Sequence, residues 1–119
     1  MKALSVRQPW AELIAQGRKT IELRSWRTDY RGPLLICAGV AWHPEGVALH
    51  GRIGDRGIAV CVVDLVDVRE FVPRRDAFAA CVARAGVGSG WAWVLEDPRR
   101  TPPTPVKGRL TLFDAEVSL

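Results

Sequence analysis

Between residues 17 and 26 the chain reads GRKTIELRSW, which sets Lys19, Glu22 and Arg24 close together. A carboxylate flanked by two cations can serve two ends. On an open surface the three form ordinary ion pairs, each worth about 0–1 kcal/mol. Lining a cleft, the lysine and arginine receive phosphate or a base edge, and the carboxylate accepts from an exocyclic amine or a ribose hydroxyl. A lysine desolvated in such a cleft also gives up its proton more readily and can act as a base or nucleophile. From Thr20 onward the residues alternate: Ile21 and Leu23 point one way, Thr20, Glu22, Arg24 and Trp26 the other. A half-buried strand with Glu22 and Arg24 on its polar face follows. Lys19 has the opposite parity, but it sits at the strand entrance shortly after a glycine, where the backbone can turn it inward.

The charge of the whole chain gathers around this stretch. Net charge is +4, and residues 1–31 carry seven basic against three acidic side chains, whereas residues 32–119 carry ten of each. Localised positive charge with Trp10, Trp26 and Tyr30 among it is a footprint for a phosphate-bearing partner. A solvated basic face is the alternative, and arginine outnumbers lysine throughout.

Other chemistries find no support. The chain has no G-x-S-x-G elbow, no Walker loop and no H-E-x-x-H. GVGSGW (86–91) is glycine-rich, but it lacks the lysine and following helix of a phosphate cradle and reads as a turn. Cys37, Cys61 and Cys81 are far apart and never in a C-x-x-C arrangement, so they read as buried inert thiols. His43 and His50 have no acidic or thiol partner at ligand spacing. No metal and no cofactor are therefore expected. No apolar run approaches the roughly 20 residues that span a bilayer, and Arg7 and Gln8 interrupt any signal-like start. A cytoplasmic protein without a membrane partner is the expectation.

The elements that would position the charged stretch can be read along the chain. At 119 residues one domain is expected. ALSV (3–6) reads as an opening strand. QPWAELIAQG reads as a helix, with Pro9 in its first turn, Trp10, Leu13 and Ile14 on one face, and Gly17 ending it. After the charged strand, YRGPLLICAG (30–39) is a turn and an apolar strand, and residues 44–54 hold a short helix. GIAVCVVDLVDV (57–68) reads as a strand covered on both faces. RRDAFAACVARAG (74–86) reads as an amphipathic helix with Phe78, Cys81, Val82 and Ala85 inward. GWAWVLED (90–97) is a strand, PRRTPPTPV (98–106) a proline-rich loop, and KGRLTLFDAEV (107–117) a last strand with Leu110, Leu112 and Asp114 on one side. Five to six mostly antiparallel strands with two to three helices fit a mixed α+β fold, a small β-barrel with helices packed around it.

Residues 17–24, GRKTIELR, resemble the G-x-K-x-x-E-x-R signature of the ASCH domain family (activating signal cointegrator homology), relatives of PUA domains. The preceding LSVRQPWAELIAQG, the following SWRTDYRGPLLICA, the central GIAVCVVDLVDV and the late WAWVLEDPRRTPPTPVKGRLTLFD also resemble that family's segments, in the same order. The resemblance implies a PUA-like β-barrel with a cleft lined by Lys19, Glu22 and Arg24, binding RNA or a nucleotide. Gln8, Trp10, Trp26 and Arg31 would flank that cleft as stacking or phosphate contacts, with a core role equally open for Trp10. Some bacterial members are amidohydrolases acting on N4-acetylcytidine through a lysine at the place of Lys19, but they carry a threonine where this chain has Glu22. Others are linked to ribonuclease activity, for which Lys19, Glu22 and Arg24 would supply charge stabilisation and general-base chemistry, with Lys19 and Glu22 the catalytic residues if the protein is an enzyme. Three functions stay open: an RNA or nucleotide binder, a small hydrolase of RNA or a modified nucleoside, and a protein-interaction module using the 98–106 loop.

Overall fold

A computed structural model describes residues 1–116. The chain runs β1 (Lys2–Gln8), α1 (Trp10–Ala15), β2 (Ile21–Arg24), β3 (Gly32–Trp42), α2 (Pro44–His50), β4 (Ala59–Glu70), α3 (Pro73–Asp76), β5 (Trp91–Arg100) and β6 (Phe113–Asp114). All six strands join one mixed sheet in the order β2-β5-β4-β3-β1-β6. Among the described residues only the β1–β3 pair is parallel.

The apolar runs of β3 and β4 lie at the centre and are covered on both faces, as their continuous hydrophobicity requires. Leu34, Ile36, Cys61, Val63 and Leu65 face α1, where Trp10, Leu13 and Ile14 dock, and meet Trp93 of β5. Leu35, Cys37 and Val62 have the other parity and pack with Ala3, Phe113 and Ala115, joined by Ala59, which a register shift in the β3–β4 ladder brings to this side. Gly17 ends α1 with φ 77°, a left-handed turn that costs glycine nothing. The amides of Arg18 and Lys19 then both bond back to the Leu13 carbonyl, which turns Lys19 inward before β2 begins.

Four expectations need correction. The sheet does not close into a barrel: among the described residues no backbone pairing joins its edges, β2 and β6. The cause lies in β6, which pairs only with Lys2 and Ala3 before the preceding chain leaves the ladder. By the alternation that sends Met1 and Ala3 toward β6, Ser5 offers its carbonyl on the same edge. That carbonyl instead accepts from Arg24 Nη2 at 2.5 Å. A side chain of β2 thus bridges to β1 where a backbone ladder would have closed the ring.

The helix expected over 74–86 is a single turn, α3. Its continuation fails because the carbonyls a helix needs are used elsewhere. Ala79 accepts from the amides of Thr20 and Ile21, Ala80 from the Lys19 ammonium, and Cys81 O lies 2.7 Å from His50 Nε2. Phe78, expected inward, is 95% exposed, Ala85 is also exposed, and Cys81, at φ 60°, is half-buried. Buried Ala77 and Ala80 take the inward places.

The last strand shrinks to two residues, and its inward parity is that of Phe113 and Ala115, not of Leu110, Leu112 and Asp114. Pairing with Ala3 decides this, because Phe113 must follow Ala3 into the second core cluster. Val117, the end of that expected strand, lies outside the described residues. The proline-rich segment is partly strand, since β5 runs on to Arg100. Its remainder is tied to β4 by bonds from Thr101 N–H to Val60 and from Ala59 N–H to Thr104.

Candidate functional site

The gap left between β1 and β2 is a cleft of about 430 Å³, within the usual size of small-molecule sites. Lys19, Glu22 and Arg24 form its floor. Lys19 Nζ donates to the Ala80 carbonyl at 2.6 Å and lies 3.5 Å from Glu22 Oε1. It also sits 4.6 Å from the centre of the Trp10 ring, a cation–π distance. Glu22 Oε2 accepts from Arg24 Nε at 2.9 Å, so each carboxylate oxygen faces its own cation. Lys19 is 2% exposed and Glu22 5%, while Arg24 is partly open to solvent. Burial pushes the Lys19 ammonium below the ordinary lysine value, against the pull of Glu22.

The cleft therefore gathers four of the residues singled out by sequence: Trp10, Lys19, Glu22 and Arg24. It does not gather the other three. Gln8 is fully buried, donating from Nε2 to the Asp55 carbonyl and accepting from the Glu12 amide, both at 2.8 Å. It ties the start of α1 to the loop before β4. Trp26 lies past the end of β2 and packs edge-on against Trp93, with ring centres 4.9 Å apart, and its carbonyl accepts from the Trp93 indole. Arg31 is exposed, donates to the carbonyls of Thr28 and Tyr30, and lies 3.9 Å from Asp67. Their nearness to the signature in sequence is not nearness to the cleft.

The walls bring residues that the spacing did not reveal. Ser5 and Arg7 come from β1, His43 and Glu45 from the start of α2, and Arg109 and Leu110 from the segment before β6. His43 Nδ1 accepts from the Gly46 amide at 3.1 Å, capping α2 and leaving Nε2 to carry the proton of the neutral ring. Burial, and then the Arg7 charge, pushes this imidazole below its ordinary value. The sequence did hold a signal here, because a residue directly before Pro44 is a natural helix cap. For Arg109 there was none, since its segment reads as a strand.

Among the described residues no group of three or more histidine, cysteine or acidic side chains is arranged to hold a metal. No described helix is long and apolar enough to cross a membrane. Burial pushes the thiols of Cys37 and Cys61 up to about 11 and about 12, which keeps both protonated and unreactive at neutral pH. Cys81 departs from the expected buried state: it is half-buried, with Sγ donating to the Arg18 carbonyl at 3.5 Å.

Comparison with known proteins bears on family and fold. The family model for the ASCH domain matches residues 4–112. A stretch of 35 residues is 57% identical to human Activating signal cointegrator 1 and 54% identical to the mouse protein of the same name. That stretch is 29% of this chain but only 6% of either relative, so the chain spans a small part of their length. Among solved structures, ASCH from Zymomonas mobilis superimposes with a TM-score of 0.71 at 14% identity, covering 97% of this chain and 87% of that one. A point-mutant form of the Zymomonas mobilis protein gives 0.69 over the same shares. At such identity the likeness is one of fold.

Proposed function

Because the chain belongs to the ASCH domain family, we propose that its cleft binds RNA or a nucleotide. One observation carries this reading: a buried Lys19–Glu22 pair, with the partly open Arg24 beside it, lines a cleft of ligand size. Burying the Lys19–Glu22 pair beside Arg24 costs desolvation that its pairing only offsets, so the cluster gains little as a mere stabiliser, and buried charges in a cleft are characteristic of functional sites. Trp10, Leu23, Val82 and Leu110 add apolar wall against which a base can lie. Four cations against two carboxylates line the cleft, which suits a phosphate-bearing ligand.

The test is fluorescence anisotropy with a mixed single-stranded RNA panel over a salt series. Affinity should fall steeply between about 50 and 200 mM salt, as counterion release demands. It should also weaken in a Lys19→Ala, Arg24→Ala double variant confirmed to be folded by circular dichroism. Absence of binding at low salt, or binding indifferent to the double substitution, would sink the proposal.

A second reading is a hydrolase acting on RNA or a modified nucleoside, and the observation that favours it is the buried Lys19 amine. An ammonium that yields its proton early inside an open cleft has the character of a base or nucleophile. Glu22 is less suited to share that work, as both its oxygens are already paired with cations. Turnover of N4-acetylcytidine or of RNA, abolished by Lys19→Ala, would establish this reading. No turnover across that panel would remove it.

A further inference from the structure

The cations of the floor and those of the rim differ in one respect: the floor is already satisfied. Lys19 is shared between Glu22 and the Ala80 carbonyl, and Arg24 between Glu22 and the Ser5 carbonyl. A phosphate brought to the floor would have to pull these donors away from a buried carboxylate, which leaves an unpaired charge behind. At the rim, Arg7 and Arg109 are exposed, and neither guanidinium takes part in an ion pair or hydrogen bond among the described residues. Glu45 lines the same cleft, so the rim holds two cations against one carboxylate.

Arg109 is also held in place. A Cβ on Gly108 would come within 2.5 Å of Ser5 Oγ, so a larger residue there would have to turn that hydroxyl away. The next amide, that of Arg109, donates to the same Ser5 hydroxyl at 3.2 Å. Two contacts to one β1 residue thus present the Arg109 side chain at the mouth of the cleft. Beside it Leu110, 92% exposed, gives an apolar lip, and the Nε2–H of neutral His43 is a further donor in the cleft lining.

We propose that Arg7 and Arg109 form a phosphate-binding rim, so that the cleft prefers a phosphorylated nucleoside over the bare nucleoside. The phosphate belongs either to a free nucleoside monophosphate or to a nucleotide within single-stranded RNA. Arginine suits this task because its planar fork meets two phosphate oxygens at once. This inference rests on the proposed cleft function and adds to it the division of labour: base toward the floor, phosphate at the rim.

The experiment is calorimetric titration at fixed low ionic strength. The probes are the four ribonucleosides, their 5′- and 3′-monophosphates, and a trinucleotide RNA without terminal phosphates. The tightest monophosphate should bind at least about ten-fold better than its nucleoside, a difference of about 1.4 kcal/mol, and Arg7→Gln with Arg109→Gln should erase that gap. Equal loss for the trinucleotide assigns the phosphate to an RNA backbone; loss confined to monophosphates assigns it to a free nucleotide. Nucleosides binding as tightly as their monophosphates, or a gap that survives both substitutions, would overturn the rim while leaving the cleft function intact. If no probe binds, the cleft function falls with it.

Discussion

Replacing Glu22 by glutamine removes the charge that holds two cations in the floor of the cleft. At 3.5 Å from Lys19 and 2.9 Å from Arg24, each attraction is about 5 kcal/mol at an effective dielectric constant near 20. Most of this gross gain is offset in the native protein by the cost of desolvating the carboxylate and the ammonium. Losing the charge is another matter, because the ammonium of Lys19 stays buried with no counter-ion. Breaking a buried pair in this way costs about 3–5 kcal/mol. Glutamine keeps an acceptor for Arg24 Nε, so the lower end, about 3 kcal/mol, is expected. Urea unfolding followed by circular dichroism reads this as a midpoint lowered by roughly 2 M, at a slope of about 1.5 kcal/mol per M. Adding Lys19→Met should restore part of the loss, since the stranded charge is then gone. A single substitution costing under about 1 kcal/mol, or a double variant that merely adds the two single effects, would mean that the three charges behave as a surface cluster.

Three further outcomes follow from the same geometry. In the native protein one thiol, Cys81, should react promptly with a chromogenic disulfide reagent at pH 8, while Cys37 and Cys61, pushed up to about 11 and about 12, react only on unfolding; prompt reaction of all three would contradict their burial. Burial pushes the Asp76 carboxyl up, but hydrogen bonds from Arg75, the Val72 amide and Arg69 outweigh it and leave it below its ordinary value. Its contribution to stability is therefore present above about pH 3.9 and lost as pH falls through the lower folded value; Asp76→Asn should flatten this acid limb, and an unchanged limb would refute the assignment. Lys19 loses its proton in the folded protein before the unfolded chain does. The unfolded state thus binds more protons in that interval, and stability from this residue should rise with pH up to the ordinary lysine range; titration curves for Lys19→Met that overlie those of the wild type would count against a desolvated amine.

Much of the site was legible because it rests on local rules. Alternation in β2 put Glu22 and Arg24 on one face, and the helix ending at Gly17 allowed Lys19 to turn inward after it. The continuous apolar runs of β3 and β4 also announced strands covered on both faces. What failed depended on partners distant in sequence. The periodic apolar pattern of 74–86 was overruled when Lys19, Thr20 and Ile21 took the carbonyls of Ala79 and Ala80. The parity of the last strand was set by Ala3, more than a hundred residues away. Gln8 and Trp26 neighbour the signature along the chain, yet their polar groups and rings are spent on Asp55, Glu12 and Trp93. Arg7 and Arg109 reach the cleft only because the sheet stays open between β1 and β2, and no local pattern in the chain encodes that gap.

The claim that this cleft is a nucleotide or RNA site is tested most directly by nuclear magnetic resonance of the isotope-labelled protein during titration with ribonucleoside monophosphates. Saturable shifts should concentrate on the Trp10 indole and on the amides of Lys19, Glu22, Arg24 and Leu110, leaving Trp26 and the 98–106 segment still. Shifts centred on that segment, or none at millimolar ligand, would contradict it.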